Sequence, residues 1–362
     1  MEEARRKSKS KPEAAEEAKA AESSQLYQVM GGKTACLRLS EAFYARVAKD
    51  PLLRPLFPST FRCAIEAFAA FLVQFLDGPP EDAQRRYHLS LRESHQRFMI
   101  GRKERDAWMA CMAKALDDVE TAEPLRRDWV GLFDQASAYL VNQGPQAEPR
   151  ECRRSGLTRR WDMQLALDKG VAAVRAGKTD RAIALASGLR SNRSVFAGLL
   201  GLMCGDANLR NYVEEQLHRD PTLAHERCGG RTLLHAAAAA GDITIVELLL
   251  QFGADPNIRT SGDRTPLYCL ANECRVPAGA AVVRALVRAG AGVNACVGVK
   301  QCTALHMAAR RGNVEVAEAL LDCGAAIDAR DSKGDTPLQR AVNCRRSDVA
   351  ALLRSRRAFA RP

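Results

Sequence analysis

Four threonines constrain the C-terminal half of this 362-residue chain. Thr232, Thr265, Thr303 and Thr336 open the segments Thr232-Leu-Leu-His-Ala-Ala, Thr265-Pro-Leu-Tyr, Thr303-Ala-Leu-His-Met-Ala-Ala and Thr336-Pro-Leu-Gln, at offsets of 33, 38 and 33 residues. A fixed period of this length means one supersecondary unit repeated. Such a unit cannot bury its apolar face alone, so it must stack on its neighbours. Each repeated position has a local physical reason. Thr offers a hydroxyl as helix N-cap, Pro at the first helical position needs no N–H donor, and Ala-rich first helices pack closely. Gly241-Asp242 and Gly312-Asn313 supply the turn within a helix pair, while Gly253, Gly290 and Gly324 stop second helices such as Ile245-Val-Glu-Leu-Leu-Leu250.

The period and the Thr-Pro-Leu-His-like string resemble the ankyrin repeat. By that resemblance residues 196–362 form a helical solenoid whose extended surface binds a protein partner. The 38-residue offset predicts a longer turn between the two helices of its repeat, near Asn272 to Gly279. Cys204-Gly-Asp206, Tyr212 to Leu217 and Asp220-Pro-Thr-Leu resemble a degraded repeat serving as an N-terminal cap. Arg345-Arg346 and the arginines at 354, 356 and 357 fit a polar C-terminal cap. His235 and His306 occupy a motif position whose imidazole bonds to nearby backbone, so a structural role is expected over metal binding. Twelve cysteines are scattered through helical patterns without a Cys-x-x-Cys pair, which reads as small buried side chains; Cys269 with Cys274 and Cys296 with Cys302 lack zinc-like spacing.

Charge and aromatic content divide the rest. Lys and Arg outnumber Asp and Glu by 54 to 43, a formal charge of +11 that would suit an acidic partner. Residues 26–143 are nearly neutral, with 16 basic and 15 acidic side chains, whereas residues 144–195 carry 11 and five. The excess therefore lies in the second half. There the run Arg150, Arg153, Arg154, Arg159 and Arg160, ahead of Trp161, reads as a solvated basic linker more simply than as a nucleic-acid site. Two helices are expected in this connector, from Met163 to Val174 and from Arg181 to Leu189, as a further repeat-like unit. Residues 1–25 hold six charges of each sign and no aromatic residue, and are expected to be a disordered tail. The opening Met1-Glu-Glu-Ala-Arg-Arg-Lys lacks the apolar stretch of a secretory signal, and no run approaches the ~18 apolar residues of a membrane span. A cytoplasmic location without a membrane is the expectation.

Residues 26–143 contain 14 of the chain's 20 aromatic residues. Apolar positions there follow helical spacing through Leu37, Phe43, Tyr44 and Val47; Ile65, Phe68, Leu72 and Leu76; Trp108, Met112, Leu116 and Val119; and Leu125, Trp129, Phe133 and Leu140. This pattern alone allows a helical bundle whose aromatic residues are only core. The strings Tyr27-Gln-Val-Met-Gly-Gly32, Phe43-Tyr44, Leu56-Phe-Pro58, Gly78-Pro79, Leu91-Arg-Glu-Ser-His95, Phe98-Met-Ile100 and Glu104-Arg-Asp-Ala-Trp108 resemble, in order and spacing, those of group II truncated haemoglobins. The chain is thus expected to be all-α, a truncated globin domain followed by an ankyrin-repeat solenoid.

The resemblance implies haem b, with His95 as proximal ligand of the iron; imidazole suits ferrous haem and leaves the opposite position open. His88 is the other histidine of this segment. Tyr44 and Trp108 match the distal tyrosine and tryptophan, whose O–H and N–H donors slow release of a bound gas; a core-only role stays open. Phe68 and Ala64 fall where the family lines the distal pocket, Ala64 replacing the distal histidine of vertebrate globins. Phe57 stands where many members carry a second tyrosine, which predicts faster oxygen release. Phe98 joins the cofactor-binding residues beside His95, and Arg92 is a candidate partner for a haem propionate, with a surface role as alternative. Ser94 replaces a basic residue common before the proximal histidine, and Asp77-Gly78 replaces a glycine pair.

By resemblance, then, the chain binds oxygen or another diatomic gas reversibly, as a carrier or as a sensor-adaptor tied to a protein through its repeats. No catalytic residue is assigned. The alternative is a haem enzyme, a nitric oxide dioxygenase or peroxidase-like protein. It would need a separate reductase, because no flavin motif or Gly-x-Gly-x-x-Gly loop is present. An adaptor with a vestigial globin is a third class.

Overall fold

The computed structural model describes residues 27–29, 31–76, 78, 90–144 and 156–359. The tail 1–25, Asp77, His88, Arg150, Arg153, Arg154, Cys152 and the side chain of Arg159 lie outside the described residues. The chain divides into two compact units between Lys169 and Gly170.

In the first unit the expected periodicities become helices: α1 (Gly32–Val47), α2 (Arg62–Phe75), α3 (Leu91–His95), α4 (Arg102–Asp118) and α5 (Leu125–Leu140), with a 3-10 turn at Arg54–Leu56. α1 packs on α2 and α4, and α4 on α5. Their shared core holds Phe43 and Val47, Leu72 and Leu76, Met112 and Leu116, and Trp129 and Phe133, all almost fully enclosed. Ser40, buried on α1, donates to the carbonyl of Ile65 at 2.8 Å, so its own hydroxyl is not left unpaired. After α2 the backbone passes close under an aromatic ring. A Cβ on Gly78 would lie 2.6 Å from Cε2 of Tyr27 and 2.7 Å from Cγ1 of Val73, which makes glycine a packing requirement here.

α6 (Gly156–Arg175) begins well before the expected start at Met163. The cause is tertiary. Leu157 and Trp161 join the first unit's core, the Trp161 ring lies 5.8 Å from that of Tyr139, and Arg160 Nη1 donates to the carbonyl of Phe75 at 2.8 Å. At least the end of the basic run is thus packed rather than solvated.

The second unit contains α7 (Thr179–Gly188), α8 (Arg193–Met203), α9 (Arg210–Arg219), a 3-10 turn at Pro221–His225 and a hairpin of β1 (Arg227–Cys228) with β2 (Arg231–Thr232), paired antiparallel with Arg227 opposite Thr232. Four helix pairs follow: α10 (Leu233–Ala240) with α11 (Ile243–Gln251), α12 (Pro266–Glu273) with α13 (Gly279–Arg288), α14 (Ala304–Arg311) with α15 (Val314–Asp322), and α16 (Pro337–Asn343) with α17 (Ser347–Phe359). First helices stack in one row from α8 to α16 and second helices in another from α9 to α17. The degraded upstream segment is therefore a complete helix pair, α8 with α9. Three of the five extra residues of the long offset lie in the connection 274–278, where the α10–α11 pair needs only Gly241 and Asp242; the other two lengthen α13 and the stretch after it. Gly241 adopts φ +76°, and a Cβ there would meet Cγ2 of Val276 at 2.4 Å. Both the conformation and the space demand glycine.

The two motif histidines bind backbone, as expected. His235 Nδ1 accepts from the Thr232 N–H at 3.2 Å and lies 2.9 Å from its hydroxyl, while Nε2 donates to the carbonyl of Arg264 in the next repeat at 3.0 Å. His306 repeats this with Thr303 and the carbonyl of Asp335. Each imidazole so ties a helix cap to the following repeat. Cys204, Cys228, Cys269, Cys274 and Cys302 are buried as expected, and burial pushes the Cys204 and Cys269 thiols up to about 12 and about 11, whereas Cys296 is exposed and Cys323 and Cys344 are half-buried.

Burial pushes the His235 imidazole down to about 4 and lowers that of His306. An unfolded histidine near 6.5 binds a proton that the folded one refuses, so stability is full above that pH and falls as pH drops towards 4. His235 alone contributes about 3 kcal/mol across the interval, from a value of about 4 against 6.5. Urea unfolding of the repeat unit should therefore show a lower midpoint at pH 5 than at pH 7, with a smaller difference in His235→Gln. Equal pH dependence in both proteins would contradict this assignment.

Candidate functional site

Seven of the eight expected cofactor-binding residues meet in one aromatic cluster or at its edge. Tyr44, from the buried face of α1, has the Phe57 ring at 5.6 Å, the Phe61 ring at 5.5 Å and the Phe68 ring at 6.4 Å. Phe57 in turn lies 6.0 Å from Phe98, whose ring is 6.1 Å from the His95 imidazole. Trp108 of α4 enters beside Phe43 and Phe133, at 5.0 and 5.6 Å. Ala64 of α2 is partly buried against the same core. Arg92 is the exception: its guanidinium is exposed and lies 5.2 Å above the Tyr139 ring.

The imidazole of His95 is oriented by its own helix. Nδ1 lies 2.7 Å from the carbonyl oxygen of Leu91 and 2.9 Å from Ser94 Oγ, while Ser94 Oγ donates to the same carbonyl at 2.7 Å. A carbonyl oxygen only accepts, so the short contact requires the proton on Nδ1. That tautomer puts the lone pair on Nε2, the nitrogen able to ligate a metal. Ser94, expected only as a departure from the family, thus helps to fix the carbonyl that fixes His95.

The polar groups near the rings are donors. Burial pushes the Tyr44 phenol up to about 12, so it keeps its O–H at any ordinary pH. Among the described residues neither the Tyr44 hydroxyl nor Trp108 Nε1 has a hydrogen-bond partner within the chain. Two donors among aromatic side chains, together with an imidazole able to ligate iron, are compatible with a haem and a small acceptor ligand.

Several supporting residues were not legible as functional. Arg54 Nη1 donates to the carbonyls of Phe57 and Pro58 at 3.1 Å each, Nη2 donates to that of Ser59 at 3.2 Å, and the guanidinium lies 4.9 Å above the Phe61 ring. One side chain so holds the loop that carries two rings of the cluster. Asn142 does the same after α3, donating to the carbonyl of Phe98 at 2.8 Å and accepting from the Ile100 N–H at 2.9 Å. Asp168 of α6 accepts from the N–H groups of Leu91 and Arg92, at the start of α3.

A small helical unit with a histidine on a short helix and tyrosine and tryptophan donors on neighbouring helices is an arrangement compatible with a globin. Comparison with known families agrees. Residues 25–142 match the Bacterial-like globin family, residues 229–261 an Ankyrin repeat, and residues 275–360 Ankyrin repeats in three copies. The chain is 36% identical over 119 residues to the Group 2 truncated hemoglobin YjbI of Bacillus subtilis, covering 33% of this chain and 89% of that protein. It is 36% identical over 154 residues to human Ankyrin repeat and SOCS box protein 16, covering 40% of this chain but only 33% of that relative. It is 32% identical over 127 residues to bovine Cyclin-dependent kinase 4 inhibitor B, covering 35% of this chain and 93% of that relative. The chain belongs to the bacterial-like globin family through its N-terminal part and carries ankyrin repeats C-terminally. Family membership implies haem-based binding of a diatomic gas, and the repeats imply a protein partner. Among the described residues no helix is long and apolar enough to cross a membrane.

Arg54→Met keeps an apolar stem but removes three hydrogen bonds to carbonyls. It should destabilise the first unit by about 1–2 kcal/mol and speed amide exchange in residues 57–61. Arg62→Met removes only the exposed pair with Glu66 and should shift stability by less than about 0.5 kcal/mol. Thermal melts and hydrogen exchange of the two variants check both, and equal effects would contradict the role given to Arg54.

Proposed function

We propose that residues 26–143 bind haem b through His95 and take up oxygen, or another diatomic gas, reversibly in the ferrous state. The array, residues 196–362, holds a protein partner, and the basic connector 144–195 joins the two; the protein works in the cytoplasm as a gas carrier or a gas-sensing adaptor. Haem, held through His95, would supply a ferrous iron able to bind a diatomic gas. The observation that carries this reading is the 2.7 Å contact of His95 Nδ1 with the Leu91 carbonyl oxygen, in the same aromatic cluster as the donors Tyr44 and Trp108.

The chain's own residues then have distinct tasks. The Leu91 carbonyl holds the Nδ1 proton and so keeps Nε2 basic. Phe57, Phe68, Phe98 and Ala64 exclude water, which strengthens any hydrogen bond made inside. Tyr44 and Trp108 donate to the negative charge that a bound gas gathers. Phe57 has no hydroxyl to add, so the gas is held by two donors rather than three. Arg92, exposed on α3, is a side chain available to a propionate.

Rapid-mixing measurement of oxygen release from the reconstituted full chain tests these roles. Each donor is worth about 1 kcal/mol, so Tyr44→Phe should release oxygen roughly fivefold faster, and Phe57→Tyr should release it more slowly. Unchanged rates in both variants would contradict the distal assignment. Partner affinity that differs between gas-free and gas-bound protein marks a sensor, and equal affinity marks a carrier.

A further inference from the structure

We propose that Asp168, which lies beyond the globin match, is a positioning residue for His95: its carboxylate fixes the start of α3 and thereby the carbonyl on which the imidazole is oriented. This rests on the reading of His95 as the haem ligand.

The geometry is a two-point clamp. Asp168 Oδ1 accepts from the Leu91 N–H at 2.9 Å and Oδ2 from the Arg92 N–H at 3.0 Å, while Gln164 Nε2, one turn earlier on α6, donates to Oδ1 at 3.0 Å. The Asp168 residue is only 2% exposed. Ser90, itself buried, supplies the local N-cap by accepting from the Glu93 N–H at 3.1 Å. Together the two side chains satisfy the first three N–H groups of α3, which a five-residue helix cannot satisfy itself.

Leu91 is the link to His95. Its N–H is held by Asp168 and its carbonyl by His95 Nδ1 and Ser94 Oγ, so one peptide residue transmits the clamp to the ring. α6 is itself seated on this unit by Trp161, 5% exposed, and by Arg160. Burial raises the Asp168 carboxyl and the backbone N–H groups oppose that shift, the pattern of a buried acceptor held by its donors. Without the α3 amides this buried carboxylate would keep only its side-chain donors, Gln164 among them, so the contact is two-sided.

The test uses the full chain. In the apo protein Asp168→Ala should speed exchange of the Leu91 and Arg92 amides roughly tenfold or more, with α4 and α5 amides unchanged. Asp168→Asn keeps an acceptor oxygen and should restore part of the protection. In the ferrous, gas-free haem protein the iron–histidine stretching band in resonance Raman should shift or broaden in Asp168→Ala and recover towards wild type in Asp168→Asn. A structural role elsewhere on α6 would leave that band in place. Unchanged exchange at Leu91 and Arg92, or an unmoved band, overturns the proposal. Absence of an iron–histidine band in wild type would instead overturn the reading of His95, while the apo exchange still reports the clamp.

Discussion

A five-residue helix cannot hold a histidine in place by its own hydrogen bonds. α3 carries His95, yet nearly all its backbone donors need partners from outside the helix. They come from Ser90 at its start and from Asp168 on α6, and the segment after it is tied by Asn142 from the end of α5. The connector helix that carries Asp168 is itself packed from its first turns, through Leu157, Trp161 and Arg160. The first unit is complete only with that helix, because Leu157 and Trp161 belong to its core.

The repeat half meets a different constraint with similar chemistry. Each helix pair is too thin to enclose a core, so buried polar side chains must reach into the next repeat. His235 and His306 do so from the first helices; the exposed Asn257 and Asn294 add ties from the turns, donating to the carbonyls of Gly290 and Gly324 and accepting from the N–H groups of Gly292 and Ala326. Asp242, at the start of α11, accepts from both the Gly205 N–H and Arg210 Nε, which extends the tie back to the capping pair. Nothing in these contacts is catalytic; they give a stiff support for an exposed surface.

Legibility followed distance along the chain. The repeat period, the Thr caps and the turn glycines were readable because each is a contact between residues three or four apart. The globin helices were readable from apolar spacing, and His95, Tyr44 and Trp108 from their short strings. What stayed hidden were contacts whose partners are distant or have no distinctive type. The Leu91 carbonyl has no side-chain signature, and Asp168 is 77 residues from Leu91, on a helix of the connector expected to extend the repeats. Arg54 looked like any surface arginine, although three carbonyls converge on it. Ser94 registered as a missing basic residue, and only the geometry around Leu91 gave its hydroxyl a task.

The central claim is that the imidazole of His95, oriented from Leu91, is the ligand for haem iron. The most direct test is the absorption spectrum of the ferrous, gas-free full chain beside that of His95→Gly, with and without added imidazole. The account predicts one haem per wild-type chain with a histidine-ligated spectrum, loss of that spectrum in His95→Gly, and its return when free imidazole fills the vacated place. A His95→Gly protein that keeps the wild-type spectrum without imidazole would contradict it.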